Sequence, residues 1–397
     1  MNAAKSFYEF FCPVKVIAGH KALEHMAFEL GTLQAQRPLI ITDKGVREAG
    51  LVRHVEQALE GTAVTLAAVF DDVPADSSVE TVRAAAALYR ARQCDAIVAV
   101  GGGSVMDTAR AANILVSEGG DDLHVYAGAH NLTRRLRPLL VIPTTSGTGS
   151  ETTMVAVISD TERGVKVPFT SRVLMPDAAI LDPRMTLALP PYITAMTAMD
   201  AMTHAVEAYI GLSANPLSDA YATATIRKIA ENLPRVMEHP NDANARLELA
   251  QASTLAGVAF SNSMVGVVHS LGHSLGAVCH LPHGVCMNLF LPYGLSFNAS
   301  VVGERIGELL LPLVGPRFYA ATPDAQRPDK VVTALHHLRD QLWQHCQLPR
   351  TLQETGKVRR DQLQRVAELT VDDGSVIYNP REVTVADALE LLERAWA

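Results

Sequence analysis

Apolar positions along the chain fall into two patterns. Up to about residue 183, short runs of Val, Ile and Leu alternate with helix-like stretches. The runs at 38–42 (PLIIT), 64–70, 96–100 (AIVAV) and 139–142 (LLVI) are apolar almost throughout, as strands buried on both faces are. The segment 78–93 (SVETVRAAAALYRARQ) between two of them reads as a helix, and a strand near 179–181 closes this half before Asp182-Pro183. Buried strands alternating with helices predict βαβ units and a mainly parallel, Rossmann-like sheet. After Pro183 the strand signals fade. Apolar stripes near period 3.6 predict helices at 190–211, 216–238, 243–262, 264–279, 300–313, 329–347 and 384–396. The expected organisation is an α/β dinucleotide-binding domain over residues 1–184 and an all-helical domain over 185–397.

Composition narrows the class. The 397 residues are 48% apolar and 19% charged, which excludes intrinsic disorder. The net charge is −8 with no basic block, which argues against a nucleic-acid partner. Five cysteines without a CxxC pair fit a reducing compartment, so a cytoplasmic location is expected. The first eleven residues include Lys5 and Glu9 and lead into no signal-peptide run. From Leu249 to Gly303 there is no Asp, Glu, Lys or Arg. That stretch nevertheless holds His269, His273, His280 and His283 and no continuous apolar window of bilayer length. It reads as buried helices around a site, with no membrane partner.

Three features suggest a nucleotide. The strand at 96–100 runs into Gly101-Gly102-Gly103-Ser104 and then a helix containing Asp107. Such a turn exposes backbone N–H groups and a positive helix end to phosphate, although the GGGSxxD spacing is not GxGxxG and also suits a plain strand-to-helix turn. Behind the next strand, Thr144, Thr145, Ser146 and Thr148 offer hydroxyl donors, while Thr148 and Glu151 have the spacing of a helix-starting capping box. Asp43, ending the strand PLIIT, suits ribose hydroxyls and repels a 2′-phosphate, or simply caps a helix.

A metal is the second theme. Asp200 and His204 stand four apart in one helical segment, and His269 and His273 four apart in another. His283 follows Pro282 in what reads as a loop, and His280 reads as a bystander. One carboxylate and three imidazoles suit Fe²⁺, with Zn²⁺ the alternative.

Taken together, GGGSVMD at 101–107, PTTSGTGSE at 143–151, DAMTHAVEAY at 200–209 and HSLGHSLGAVCHLPHG at 269–284 resemble the iron-containing (group III) alcohol dehydrogenases. The resemblance covers nearly the whole chain and implies that family's architecture, shared with dehydroquinate synthase. It implies Asp200, His204, His269 and His283 as metal ligands and His273 as the catalytic non-ligand histidine. It implies NAD(H) bound by Asp43, Gly101, Gly102, Gly103, Ser104, Asp107, Thr144, Thr145, Ser146, Thr148 and Lys166. Val155, Phe260 and Ser375 match substrate-pocket positions. Pro74-Ala75-Asp76-Ser77 departs from the Pro-Asn-Pro-Thr of many relatives. The implied activity is reversible hydride transfer between NAD(H) and a small primary alcohol or its aldehyde, in a homodimer or higher homo-oligomer. The alternatives are reduction of an anionic aldehyde (sulfo-, phosphono- or carboxy-) and a sugar-phosphate cyclase of the same fold. A metal-storage scaffold would explain the histidines but not the two phosphate-type loops.

Overall fold

The computed structural model describes residues 7–397; the first six residues of the expected 1–184 domain, and of the stretch read as lacking a targeting signal, lie outside them. Among the described residues, nine strands form two sheets. They are β1 (Lys15–Ala18), β2 (Pro38–Ile41), β3 (Ala68–Phe70), β4 (Ala96–Gly101), β5 (Gly128–Ala129), β6 (Leu139–Pro143), β7 (Val155–Asp160), β8 (Val165–Thr170) and β9 (Ala178–Leu181). The larger sheet is wholly parallel in the order β1-β9-β6-β4-β2-β3. Every residue of β2, β4, β6 and β9 is buried, because helices cover both faces and the continuous apolar runs demand it. Those helices are α1 (Met26–Thr32), α2 (Lys44–Glu48), α3 (Leu51–Leu59), α4 (Val79–Ala91) and α5 (Gly103–Glu118).

The second sheet, β5-β8-β7, is absent from the sequence-based expectation. Strands β7 and β8 pair antiparallel in a hairpin whose turn passes through Gly164 at φ +66°, a left-handed conformation that suits glycine. The expected strand at 64–70 shrinks to β3 at its end. The helix start expected from Thr148 and Glu151 is a single 3₁₀ turn, Ser150–Thr152.

The rest is helical: α6 (Pro191–Ile210), α7 (Pro216–Glu238), α8 (Ala243–Ser263), α9 (Val267–Cys279), α10 (His283–Glu308), α11 (Leu310–Val314), α12 (Pro316–Ala321), α13 (Arg327–Cys346), α14 (Leu363–Asp372) and α15 (Val385–Arg394). Helix α6 is buried on almost all sides from Thr194 onward, which its Ala, Met and Thr residues allow. Three expectations shift. The helix expected at 264–279 begins at Val267, because Met264 adopts φ +66° and the chain turns through 105° between α8 and α9. His283 is not in a loop but is the first residue of α10, capped by Pro282. The helix expected at 300–313 is the end of α10 plus α11, with a kink at Val302. Helix α10 is long and apolar enough to cross a membrane, but 67% of its most apolar window is buried within the protein.

The chain divides into two compact units, Cys12–Leu189 and Pro190–Ala397, five residues beyond the boundary expected at 184/185. The described residues before Cys12 group with the helical unit. There Phe10 stacks on Tyr221 and the Phe11 N–H donates to Asn262 Oδ1 at 2.7 Å.

Candidate metal centre and cofactor loops

In the α/β unit the three suspected nucleotide features emerge at the same edge of one sheet. Strands β2, β4 and β6 are adjacent and parallel, so Asp43, Gly101–Ser104 and Thr144–Ser150 all follow their carboxyl ends. That edge is where open α/β sheets bind ligands. A Cβ on Gly101 would lie 2.6 Å from Val105 Cγ2, so only glycine lets α5 start this close to β4. A Cβ on Gly102 would meet Thr145 Oγ1 at 3.5 Å, and one on Gly103 would meet Thr148 Cγ2 at 3.3 Å. The glycine turn and the threonine loop therefore face each other, joined by the Thr144 N–H donating to Gly101 O at 3.1 Å. Helix α5 has sixteen residues and no side-chain cap at Gly102, so its first N–H groups remain available to an anion. The lined-up glycines and uncapped helix end fit a pyrophosphate.

Other expected cofactor residues have structural work as well. Asp107 accepts from Arg110 Nη1 at 3.1 Å and from the Val157 N–H at 3.0 Å, tying α5 to β7. The Ser104 hydroxyl donates to Ala75 O, and Thr148 Oγ1 accepts the Ser150 N–H at 3.2 Å. Ser146 is buried. Asp43 caps α2 through the Val46 N–H at 2.8 Å. Lys166, on β8, pairs with Asp76 at 2.9 Å, both largely exposed. Sequence reasoning missed Arg110. Wholly buried, its guanidinium donates to Ser150 Oγ and to the carbonyls of Ser150, Thr153, Val155 and Leu174, holding the segment that follows the threonine loop. Val155 is thus placed at the start of β7, with its carbonyl in this network.

In the helical unit one helical turn of α6 brings Asp200 and His204 to one face. Helix α9 contributes His269 and the start of α10 contributes His283. Asp200 Oδ1 lies 3.3 Å from His283 Nε2, 3.8 Å from His204 Nε2 and 3.9 Å from His269 Nε2. One potential ligand atom from each of the four lies within 4.8 Å of the others. Asp200 Oδ1, His204 Nδ1 and His269 Nε2 are buried without a hydrogen-bond partner. Orphaned polar atoms cost free energy unless something else pairs with them, and a dication at the cluster would pair with Asp200 Oδ1 and His269 Nε2; on His204 it is Nε2 that lies toward Asp200.

The electrostatics agree. Burial would raise the Asp200 pKa, but the surrounding imidazoles, His204 foremost, hold it well below the usual carboxylate range. Burial pushes His204 down to about 3 against the pull of Asp200, and drives His269 well below its usual value, helped by His283. An ionised carboxylate beside neutral imidazoles is the protonation state that ligates a metal. The residues present fit a divalent transition metal.

Two carboxylates around this cluster escaped the sequence reading. Glu207, buried on α6, lies 2.6 Å from His269 Nδ1 and accepts from the Val268 N–H at 2.7 Å. Burial pushes its pKa up to about 7 despite those donors. It does the work of an N-cap for α9, whose own cap residue Gly266 has no side chain, and it orients His269 so that Nε2 faces the cluster. Its signal was readable, since Glu207 shares a helix face with Asp200 and His204. Asp373, between α14 and a 3₁₀ turn, lies within hydrogen-bond distance of His273 Nδ1, at 2.9 Å. No local pattern announces a partner one hundred residues away.

His273 stands outside the cluster of four. Its ring stacks on His283 at 5.3 Å and meets His269 edge-on at 5.9 Å. His273 and His283 are the exposed members, with 44% and 40% of their side chains accessible, against 7% or less for Asp200, His204 and His269. The cluster therefore opens on their side. Phe260 stacks on His204 at 4.2 Å, and the Ser375 N–H donates to Asp373 Oδ1 at 2.9 Å. His280 is exposed, caps α9 at φ 53° and is not among the four clustered groups.

Comparison with known proteins gives a consistent result. The sequence profile described as iron-containing alcohol dehydrogenase matches residues 13–183, and that of the Fe-containing alcohol dehydrogenase family, C-terminal, matches 194–396. The NAD-dependent methanol dehydrogenase of Bacillus methanolicus is 32% identical over 97% of this chain and 99% of its own. The sulfoacetaldehyde reductase of Bilophila wadsworthia is 33% identical over 73% of this chain and 75% of its own. A crystal structure of a 1,3-propanediol oxidoreductase superposes with a TM-score of 0.93 at 32% identity, covering 98% of this chain and all of that one.

Proposed function

The chain belongs to the iron-containing alcohol dehydrogenase family, and from that premise we propose that it interconverts a small primary alcohol and its aldehyde by NAD(H)-linked hydride transfer. The observation that carries this reading is the convergence of Asp200, His204, His269 and His283 on one point. These four would hold the metal, which supplies electrophilic activation of the substrate oxygen. Bound NAD(H) would supply hydride-transfer chemistry, which leaves one proton to be released for each alcohol oxidised.

The chain's own residues do the rest. Gly101, Gly102, Gly103, Ser104 and Asp107, with Thr144, Thr145, Ser146 and Thr148, form or brace the pyrophosphate cradle. Asp43 would reach the adenosine ribose, favouring NAD over NADP by repelling a 2′-phosphate, and Lys166 is a further cofactor contact. His273 is the residue we assign to proton exchange, because it is the exposed imidazole beside the ligands that is not itself one of them. Phe260 presents an aromatic face next to His204, and with Val155 and Ser375 we assign it to substrate selection. An apolar neighbour of this kind favours short alcohols or diols. The relationship to a sulfoacetaldehyde reductase keeps an anionic aldehyde as the second reading. The five free cysteines support a cytoplasmic location, and the family's habit supports a homo-oligomer.

The test is to load the apoprotein separately with Fe²⁺ and Zn²⁺ and follow NADH with a panel of short aldehydes, diols and sulfonated aldehydes. Turnover of neutral substrates that depends on the metal is expected. Turnover of the sulfonated aldehydes alone would move the assignment to the second reading, and no NADH oxidation by any member would overturn both.

A further inference from the structure

We propose that Asp373 is the positioning residue for His273, holding that ring in the tautomer with hydrogen on Nδ1 and leaving Nε2 bare; the catalytic consequence rests on the role given to His273 above. An ionised carboxylate can only accept hydrogen bonds, so the 2.9 Å contact between Asp373 Oδ2 and His273 Nδ1 requires the hydrogen to sit on Nδ1. The other oxygen, Oδ1, is itself held. It accepts from Ser270 Oγ at 3.1 Å and from the Ser375 N–H at 2.9 Å.

The carboxylate is anchored from two directions. Ser270 and His273 lie on one face of α9, and Ser375 lies in the 3₁₀ turn Gly374–Tyr378, which Asp373 caps. Turning the carboxylate away from His273 would therefore break contacts on both elements. With the Nδ1 edge fixed by Asp373 and the ring face laid on His283 at 5.3 Å, both the tautomer and the plane of His273 are determined. A half-exposed imidazole without such an anchor would sample both tautomers and several rotamers. Asp373 thus does for the proton-exchanging histidine what Glu207 does for the ligand His269. In each case an acid from a different element sets which nitrogen of an α9 histidine stays free.

The decisive variant is Asp373→Asn. It is isosteric, and its Oδ1 can still accept from Ser270 and Ser375. Its amide nitrogen, however, donates, and so drives the hydrogen of His273 from Nδ1 to Nε2. Expected are a fall in kcat of at least about tenfold, with metal content, melting temperature and NADH affinity unchanged. In a His273→Gln background the same substitution should cost nothing further, because Asp373 acts only through the ring it holds. Nitrogen-15 spectra of imidazole-labelled protein, with the His273 signal identified by its loss in His273→Gln, supply a second readout. The wild type should show hydrogen on Nδ1 and Asp373→Asn hydrogen on Nε2. Undiminished loss from Asp373→Asn in the His273→Gln background, or a wild-type ring bare at Nδ1, overturns the proposal. Full turnover by His273→Gln would instead overturn the catalytic role of His273, while the spectra still decide whether Asp373 sets its tautomer.

Discussion

The α/β unit and the helical unit make their sites from different parts of the chain. The first uses backbone: glycines that permit close approach, and the uncapped start of a sixteen-residue helix. The second uses side-chain tips from α6, α9 and α10 aimed at one point, with Glu207 behind His269. A backbone site depends on steric room and spreads its binding over several N–H groups. A side-chain site depends on single atoms. Loss of one atom should therefore be catastrophic in the helical unit and graded in the α/β unit, and variants of the two can test this contrast in order of severity.

The largest effect belongs to His269→Ala. It removes a buried nitrogen of the proposed ligand set and leaves Glu207 without its imidazole partner, so metal retention and activity should both be lost. His273→Ala should keep the metal and slow turnover, since His273 is not one of the four clustered groups. Metal analysis after dialysis distinguishes them; equal loss in both would make His273 a ligand. Next comes Glu207→Gln, where the amide oxygen can still accept from the Val268 N–H but the amide nitrogen, a donor, replaces the oxygen that faces His269 Nδ1. Metal affinity should fall about 10- to 100-fold, read by competition with a chelator, and the helical unit should still fold.

A step lower, and in the other unit, is Gly101→Ala. Its Cβ would press on Val105 at 2.6 Å at the buried end of β4. Overpacking of this kind costs about 1–3 kcal/mol, so the melting temperature and NADH affinity should drop together while metal content holds. Coordinated loss of metal would show that the two sites are not separable in the way their construction suggests.

How much of this was readable in advance follows the same division. Two pairs of residues spaced four apart on helices gave Asp200, His204 and His269 a face each, and a parallel sheet of apolar runs announced itself. The hairpin β7–β8 did not, because its alternation is short and lies where a helix start looked plausible. His283 read as a loop residue because it follows Pro282, whereas that proline stands at the N-cap position and His283 opens α10. Arg110 and Asp373 act on segments 40 and 100 residues away, so only the folded chain could show what they hold.

The smallest expected effect decides what Asp43 is for. Its carboxylate caps α2 through the Val46 N–H at 2.8 Å, which by itself accounts for an acid at that place. Glycine is nearly as good a cap as aspartate, costing only a few tenths of a kcal/mol, roughly. Asp43→Gly therefore separates the two roles, because it removes the negative charge while barely disturbing the helix start. The melting temperature should stay within a degree or two, roughly, of wild type, and the NADPH-to-NADPH-plus-NADH share of turnover should rise as repulsion of a 2′-phosphate disappears. An unchanged cofactor ratio in a normally stable variant would leave Asp43 a helix cap and nothing more. Discrimination between the two cofactors would then have to come from backbone or from other side chains at the β2 end of the sheet.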